Sequence, residues 1–410
     1  MNPYTVYLAL ELVSSLLFSL IFTVNMVYQV TVVQLSPLQL VLVGTILEAS
    51  VFVFEVPTGV LADVKSRRLS VIIGYGLIGA GFILEGSIPL FWAIALAQVV
   101  WGLGFTFTSG ATQAWIADEV GEERAGEAFL QGAQAGRIGA LGAIPISIAL
   151  GTIAVNLPIV IGGGLMILLA LLLIPTMTEE GFVPTPDQDR TTWGQMLKTV
   201  GDARQLTRRQ PVLLVLLGIG LFFGLYSEGF DRLWTAHLLE SFSLGILERI
   251  DPVVWFGIIR AAMLLIGLGA TELARRRVDT RRAIPMAITL MAIAALIIAA
   301  LAAFGLTRSL WVAMVLYLAI GALRSVADPL QTAWYNLLID DPQVRATMFS
   351  VTSQVDAIGQ IAGGPAVGAV GNLSIRAALV TSALILSPVL PLYGYAIRRS
   401  KASPEPATAN

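Results

Sequence analysis

Residues 59–68 read Gly59-Val60-Leu61-Ala62-Asp63-Val64-Lys65-Ser66-Arg67-Arg68 and lie between two long apolar runs. A worn copy, Thr271-Glu272-Leu273-Ala274-Arg275-Arg276-Arg277, stands 212 residues later in the same setting. The echo continues: Ala114-Trp115 returns as Ala333-Trp334 at an offset of 219, and Phe129, Gln134, Gly139 and Pro145 return as Phe349, Gln354, Gly359 and Pro365 at 220. Matches kept in order over that distance mark two similar halves fused in tandem. A parallel repeat of apolar segments is the architecture of membrane carriers that alternate access to a site between their halves.

The composition points to the same solvent. Hydrophobic residues make up 56% of the 410 and charged residues 13%, about half the charge of a soluble protein, and the mean hydropathy is +0.80. The first apolar run, from Tyr7 to Val33, is too long for a signal-peptide core and lacks a basic flank, so it reads as a retained helix. The chain has no cysteine, which removes disulfides, thiolate metal sites and cysteine nucleophiles.

Polar punctuation divides the chain into twelve apolar segments, near 6–31, 38–62, 70–88, 90–116, 127–150, 154–175, 211–236, 252–273, 283–304, 309–336, 346–370 and 374–397. With the N-terminus inside, eighteen of the 25 Lys and Arg fall on that side, among them Lys65, Arg67, Arg68 and Arg275 to Arg277. Arg249, Arg308 and Arg376 fall on the other, and Arg137, Arg232, Arg260 and Arg324 within spans. The bias predicts both termini and the long central loop in the cytoplasm. The domain plan is a six-helix half over 1–175, a cytoplasmic linker over 176–210, a second six-helix half over 211–397 and a disordered tail over 398–410. In the linker, Trp193, Met196, Leu197 and Val200 share one helical face, which fits either an amphipathic helix on the membrane surface or a plain tether.

The spacing Gly-x-Leu-Ala-Asp-x-x-x-Arg-Arg after an apolar second helix resembles the loop 2–3 signature of the major facilitator superfamily, and the likeness extends over nearly the whole chain. Within that superfamily the chain looks most like bacterial drug-efflux-like proton antiporters. Ser66 stands where the family has a glycine and Gln98 where it has an arginine; Gly136 to Pro145 is a partial copy of the helix 5 antiporter motif. The resemblance implies an all-α membrane fold of twelve transmembrane helices in two pseudo-symmetric halves. It further implies a plasma-membrane protein, functional as a monomer, whose partners are the lipid bilayer and a small-molecule cargo. In loop 2–3 Gly59 is expected to permit close helix packing across the halves, Asp63 to sit at a helix N-terminus or pair locally, and Arg67 to meet a carboxylate. By the resemblance that carboxylate is Asp118, and the set forms a cytoplasmic latch favouring the outward-open state. A purely topological role for the basic cluster is the plainer reading.

Helices 1, 4, 7 and 10 line the central cavity in the family. Read in steps of three and four, helix 1 presents Glu11, Ser15, Phe18, Phe22, Asn25 and Gln29, and helix 4 presents Gln98, Trp101, Phe105, Ser109 and Thr112. Helix 7 presents Gly224, Glu228, Asp231 and Thr235; helix 10 presents Tyr317, Gly321, Arg324, Asp328, Gln331 and Tyr335. For any single aromatic here, ordinary packing competes with a cargo role.

Ionisable groups inside spans are costly and mark function or pairing. Glu228 with Arg232 and Arg324 with Asp328 are spaced to pair within one helix. That leaves Glu11, Glu48, Glu55, Glu85, Asp231 and Asp356 against Arg137 and Arg260. Burial favours the proton-holding form of a carboxyl group, which is what a proton-coupled carrier needs. Asp231 and Glu48 are the central candidates, then Asp356, with Glu11 nearer the interface. Glu85, close to an outer end, reads as solvated. A lone histidine, His237, and the absence of Gly-Lys-Ser/Thr give no support to metal, nucleotide or hydrolytic chemistry, and no basic patch points to nucleic acid. The expectation is therefore a non-enzymatic secondary carrier without cofactor, driven by the proton gradient, exporting small amphipathic or cationic compounds. Uptake of a metabolite by proton symport is the near alternative, and a non-transporting receptor on the same scaffold a more distant one.

Overall fold

The computed structural model describes residues 2–184, 194, 211–339 and 342–402. The amphipathic stretch expected over 191–200 therefore lies outside the described residues except for Gly194, as does the tail from 403 onward. Everything regular among the described residues is helical. The first half comprises α1 (Pro3–Phe22), α2 (Asn25–Thr31), α3 (Pro37–Val64), α4 (Arg67–Ser87), α5 (Phe91–Thr108), α6 (Ala111–Val120), α7 (Glu122–Gly151) and α8 (Leu157–Thr176). The second comprises α9 (Pro211–Glu240), α10 (Pro252–Arg277), α11 (Ala283–Leu306), α12 (Leu310–Leu338), α13 (Pro342–Leu373), α14 (Ile375–Leu386) and α15 (Val389–Ala402), with a 3-10 turn at Gly245–Arg249.

Three spans are broken helix pairs, α1–α2, α5–α6 and α14–α15. The break before α6 sits at Gly110, whose φ of +72° is open to glycine without strain. Eleven helical spans among the described residues are long and apolar enough to cross a bilayer. The twelfth, α13, has 32 residues and carries Asp356, Gln354 and Gln360, which dilute its apolarity. Side chains such as Leu168, Leu171, Leu172 and Ile174 on α8 face outward, as a helix in hydrocarbon requires. α15 runs on to Ala402, so residues 398–402 are helix and not tail; Arg399 Nη1 donates to Tyr395 Oη one turn back at 2.9 Å.

The described residues divide into two compact units, one of 2–184 and 194 with 245–261, the other of 211–244 with 262–339 and 342–402. α1 packs chiefly on α7 in the first, and α9 on α13 in the second. The repeated glycines explain why. A Cβ at Gly139 of α7 would collide with the Leu12 carbonyl of α1, and one at Gly359 of α13 would come within 2.6 Å of the Leu221 carbonyl of α9. Each glycine lets two backbones meet, the packing that lipid, lacking a hydrophobic drive between helices, selects. The paired Pro145 and Pro365 lie inside the same two helices, and the paired Trp115 and Trp334 are both fully buried.

Candidate functional site

In the first unit the loop signature forms an ion-pair cluster. Asp63 closes α3, Arg67 opens α4 and Asp118 lies in the last turn of α6. Arg67 Nη1 donates to an Asp118 carboxylate oxygen and to the Ala114 carbonyl at 3.2 Å, while Asp63 stands 3.8 Å from Arg67 Nη2. Ser66, where the family carries glycine, is the N-cap of α4: its Oγ accepts from Leu69 N at 2.9 Å. A Cβ at Gly59 would meet no atom within 4 Å.

Polar residues from the stripes of helices 1 and 4 meet at Glu85 of α4. Gln29 donates through Nε2 to Glu85 Oε1 at 2.7 Å and to Asn25 Oδ1 at 3.0 Å; Gln98 donates through Nε2 to Glu85 Oε2 at 3.2 Å and accepts at Oε1 from Trp101 Nε1 at 2.8 Å. Glu85 is 0% exposed, so the solvated reading is corrected. Two amides donate to that carboxyl group in place of water, Gln29 also held by Asn25 and Gln98 by the Trp101 indole. Phe22 stacks on Phe18 and meets Phe82 and Trp101 edge-on, and Phe105 meets Trp101. Ser109 is exposed at the α5–α6 break. Glu11 on α1 and Glu48 on α3 are both half-buried. Arg260 belongs to this unit and donates to the Phe22 carbonyl at 3.4 Å.

The second unit contains a cavity of about 540 Å³ lined from α9, α12 and α13. α9 contributes Gly220, Phe223, Tyr226, Ser227 and Asp231; α12 contributes Arg324, Asp328, Gln331, Thr332 and Tyr335; α13 contributes Phe349, Thr352, Ser353, Asp356 and Gln360. Asp231 and the α12 residues Arg324, Asp328, Gln331 and Tyr335 come from the stripes read in the sequence, and Asp356 from its candidate acids. Glu228, Arg232 and Thr235 do not line it: Glu228 is buried and takes Arg232 Nε at 3.3 Å, the pairing its spacing predicted, and Thr235 is packed away. The α9 stripe is rotated toward Gly220, Phe223 and Ser227 because Gly224, assigned to the cavity face, lies against the Asp356 backbone of α13. Tyr317 stacks on Trp234 at 4.1 Å, and Gly321 abuts Met263.

Arg324 and Asp328 do not form the expected pair. Arg324 reaches α9 and grips Asp231 with both guanidinium arms, Nη1 to Oδ1 at 2.5 Å and Nη2 to Oδ2 at 3.0 Å. The planar fork matches a carboxylate facing it across the cavity, whereas a base preceding an acid by one turn is the poorer orientation within a helix. Asp231 is thus not an unpaired acid. The faces of Tyr226 and Phe230 lie 5.9 and 5.8 Å from the guanidinium carbon. Asp356 accepts from Gln360 Nε2 at 2.7 Å, and Asp328 has no ion-pair partner within 4 Å among the described residues. Sequence reasoning missed Gln360, though it follows Asp356 by one turn, and the Phe223 and Ser227 face of α9.

The profile of the Major Facilitator Superfamily matches residues 7–364. The chain is 24% identical over 374 residues, 88% of its length and 87% of the relative's, to YxaM of Bacillus subtilis (strain 168), an uncharacterized MFS-type transporter. Its fold is similar to that of a mutant of the nucleoside transporter NupG, with a TM-score of 0.76 at 14% identity, covering 97% of this chain and 99% of that one. It is likewise similar to a bacterial homolog of the human lysosomal transporter Spinster, captured inward-facing and unoccupied, with a TM-score of 0.74 at 17% identity over 99% and 100% of the two chains. At these identities the solved structures speak for the fold alone. The profile match, which extends from α1 into α13, makes this chain a multi-pass membrane transporter belonging to the Major Facilitator Superfamily.

Proposed function

We propose that the protein is a proton-coupled secondary transporter of the plasma membrane, both termini cytoplasmic, which exports small amphipathic or cationic compounds as a monomer. One observation carries this reading: the cavity gathers three carboxylates, Asp231, Asp328 and Asp356, against a single guanidinium that Asp231 already satisfies. Two acids remain for a cation and a proton, and Phe223, Tyr226, Tyr335 and Phe349 offer apolar and π faces to an amphipathic body. Coupling is assigned to Asp356 with Asp328, in place of Asp231, which serves as the anchor of Arg324. Tyr226, fully buried with no hydrogen-bond partner for its hydroxyl, is available to cargo.

Uptake of a hydroxylated metabolite is the second reading, favoured by the uncharged donors and acceptors Gln331, Thr332, Thr352, Ser353 and Gln360 in the same lining. The test is purified protein in liposomes under an imposed pH gradient, with internal pH read while cationic dyes, antibiotics, sugars and amino acids are offered. Proton release coupled to a cationic dye moving up its gradient supports export. Proton entry coupled only to a sugar or amino acid supports symport, and no proton movement with any cargo refutes both. Asp356→Asn is expected to keep cargo-for-cargo exchange while losing pH-driven accumulation.

A further inference from the structure

The segment following α8 is bound onto the ion-pair cluster of the first unit by more contacts than a connector needs. Asp118 and Glu119 are neighbours at the end of α6 and take different partners: Asp118 takes Arg67, and Glu119 takes the segment. Glu119 Oε1 accepts from Glu180 N at 2.6 Å and Gly181 N at 2.8 Å, and its Oε2 accepts from Thr178 Oγ1 at 2.8 Å. The buried Trp115, on the same helix, donates Nε1 to the Thr178 carbonyl at 2.6 Å. From the other side, Glu179 accepts from Ser66 Oγ at 2.5 Å and from Arg68 N at 2.9 Å, so it completes the N-cap of α4. Phe182 then lies against the Arg67 guanidinium, 5.8 Å from ring centre to carbon.

We propose that Thr178–Phe182 is a strap that sets the strength of the Arg67–Asp118 pair, and that Glu119 and Glu179 are positioning residues of the transport cycle. The physical link is solvent. Arg67 and Asp118 are 17% and 26% exposed, and an ion pair contributes more as water is withdrawn from it. Phe182 covers the cation, and the Gly181 backbone lies against Asp118: a Cβ at Gly181 would collide with the Asp118 carbonyl. With the strap lifted, the pair becomes an ordinary wet surface pair and the N-terminus of α4 loses a carboxylate. The strap and the pair therefore open together or not at all. The inference is independent of what the cavity carries.

The cysteine-free chain allows a test without known cargo. Amide exchange over 178–182 reads strap docking, and maleimide labelling of Ser353→Cys in nanodiscs, on otherwise wild-type, Glu119→Ala, Arg67→Ala and double-variant backgrounds, reads access to the cavity. Glu119→Ala is expected to strip protection from the Glu180 and Gly181 amides and to shift the labelling rate about threefold to tenfold in the same direction as Arg67→Ala, the range for losing charged hydrogen bonds at a part-exposed site. Glu119→Gln, which retains an acceptor oxygen, restores most of both readouts. The double variant should label like Arg67→Ala alone, since one device is removed twice. Loss of protection with labelling unchanged would overturn the proposal and leave the strap a passive staple; additive effects would do the same. Glu179→Ala, judged by the same two readouts, replaces Glu119→Ala if that variant does not fold.

Discussion

Arg324 and Asp231 give the sharpest test of how the second unit is held, because breaking the pair from its two ends has unequal consequences. Removing one member of a fully buried pair costs about 3–5 kcal/mol, and an exposed pair contributes about 0–1 kcal/mol. Here the side chains are 30% and 41% exposed around two short contacts, so screening brings the loss to an intermediate value of about 2 kcal/mol. Asp231→Asn keeps one acceptor oxygen, and Arg324 has Asp328 one turn along α12 and two aromatic faces to receive it. Its cost should fall to about 1 kcal/mol. Arg324→Gln leaves three carboxylates facing one cavity with no base among its lining residues, and its cost should rise to about 3 kcal/mol. The double variant should cost less than the sum by about 1–2 kcal/mol, since the second change removes the charge that the first had stranded. Denaturation of the purified single and double variants in one detergent, folded fraction read by tryptophan fluorescence, measures the cycle. Equal losses from the two ends, or strict additivity, would refute the assignment of Asp231 as an anchor and return it to the list of free acids.

Arg67→Ala is expected to slow exchange of a cargo found in the liposome screen severalfold while its equilibrium binding to purified protein stays within about twofold, because the cluster lies in a different unit from the cavity. If binding is abolished and cavity labelling is unchanged, the latch reading fails. Among the glycines, Gly359→Ala should lower stability by about 1–3 kcal/mol through overpacking, whereas Gly59→Ala, with open space around it, should gain up to about 1 kcal/mol of helix propensity; comparable melting of the two variants would contradict the close approach of α13 and α9. For topology, single cysteines at Asp189 and Gly245 in intact cells should react with an impermeant maleimide only at 245. Reaction at 189 but not at 245 would invert the chain.

What one strand of sequence determines is whatever repeats along it. Twelve spans follow from the length of apolar runs set against bilayer thickness, and the tandem halves follow from matched residues such as Gly139 with Gly359 and Pro145 with Pro365. The Glu228–Arg232 pair was legible because its members lie one helical turn apart in the favourable order. Arg67 with Asp118 was legible only through the family resemblance. Periodicity names a helix face, but what stands opposite it is decided by rotation about the helix axis, which packing sets. Gly224 against the Asp356 backbone turned α9 so that Glu228 is buried and Ser227 faces the cavity. Arg324 had two acids within reach by spacing and by stripe, and only the gap between α9 and α12 made Asp231 the one whose oxygens match its fork. Glu85 shows the same limit: its place near the end of a span says solvated, yet Gln29 and Gln98, brought from two other helices, supply the donors that let a carboxyl group stay dry. Tertiary structure decided these three outcomes because each depends on distances between residues far apart in the chain, which local pattern does not encode.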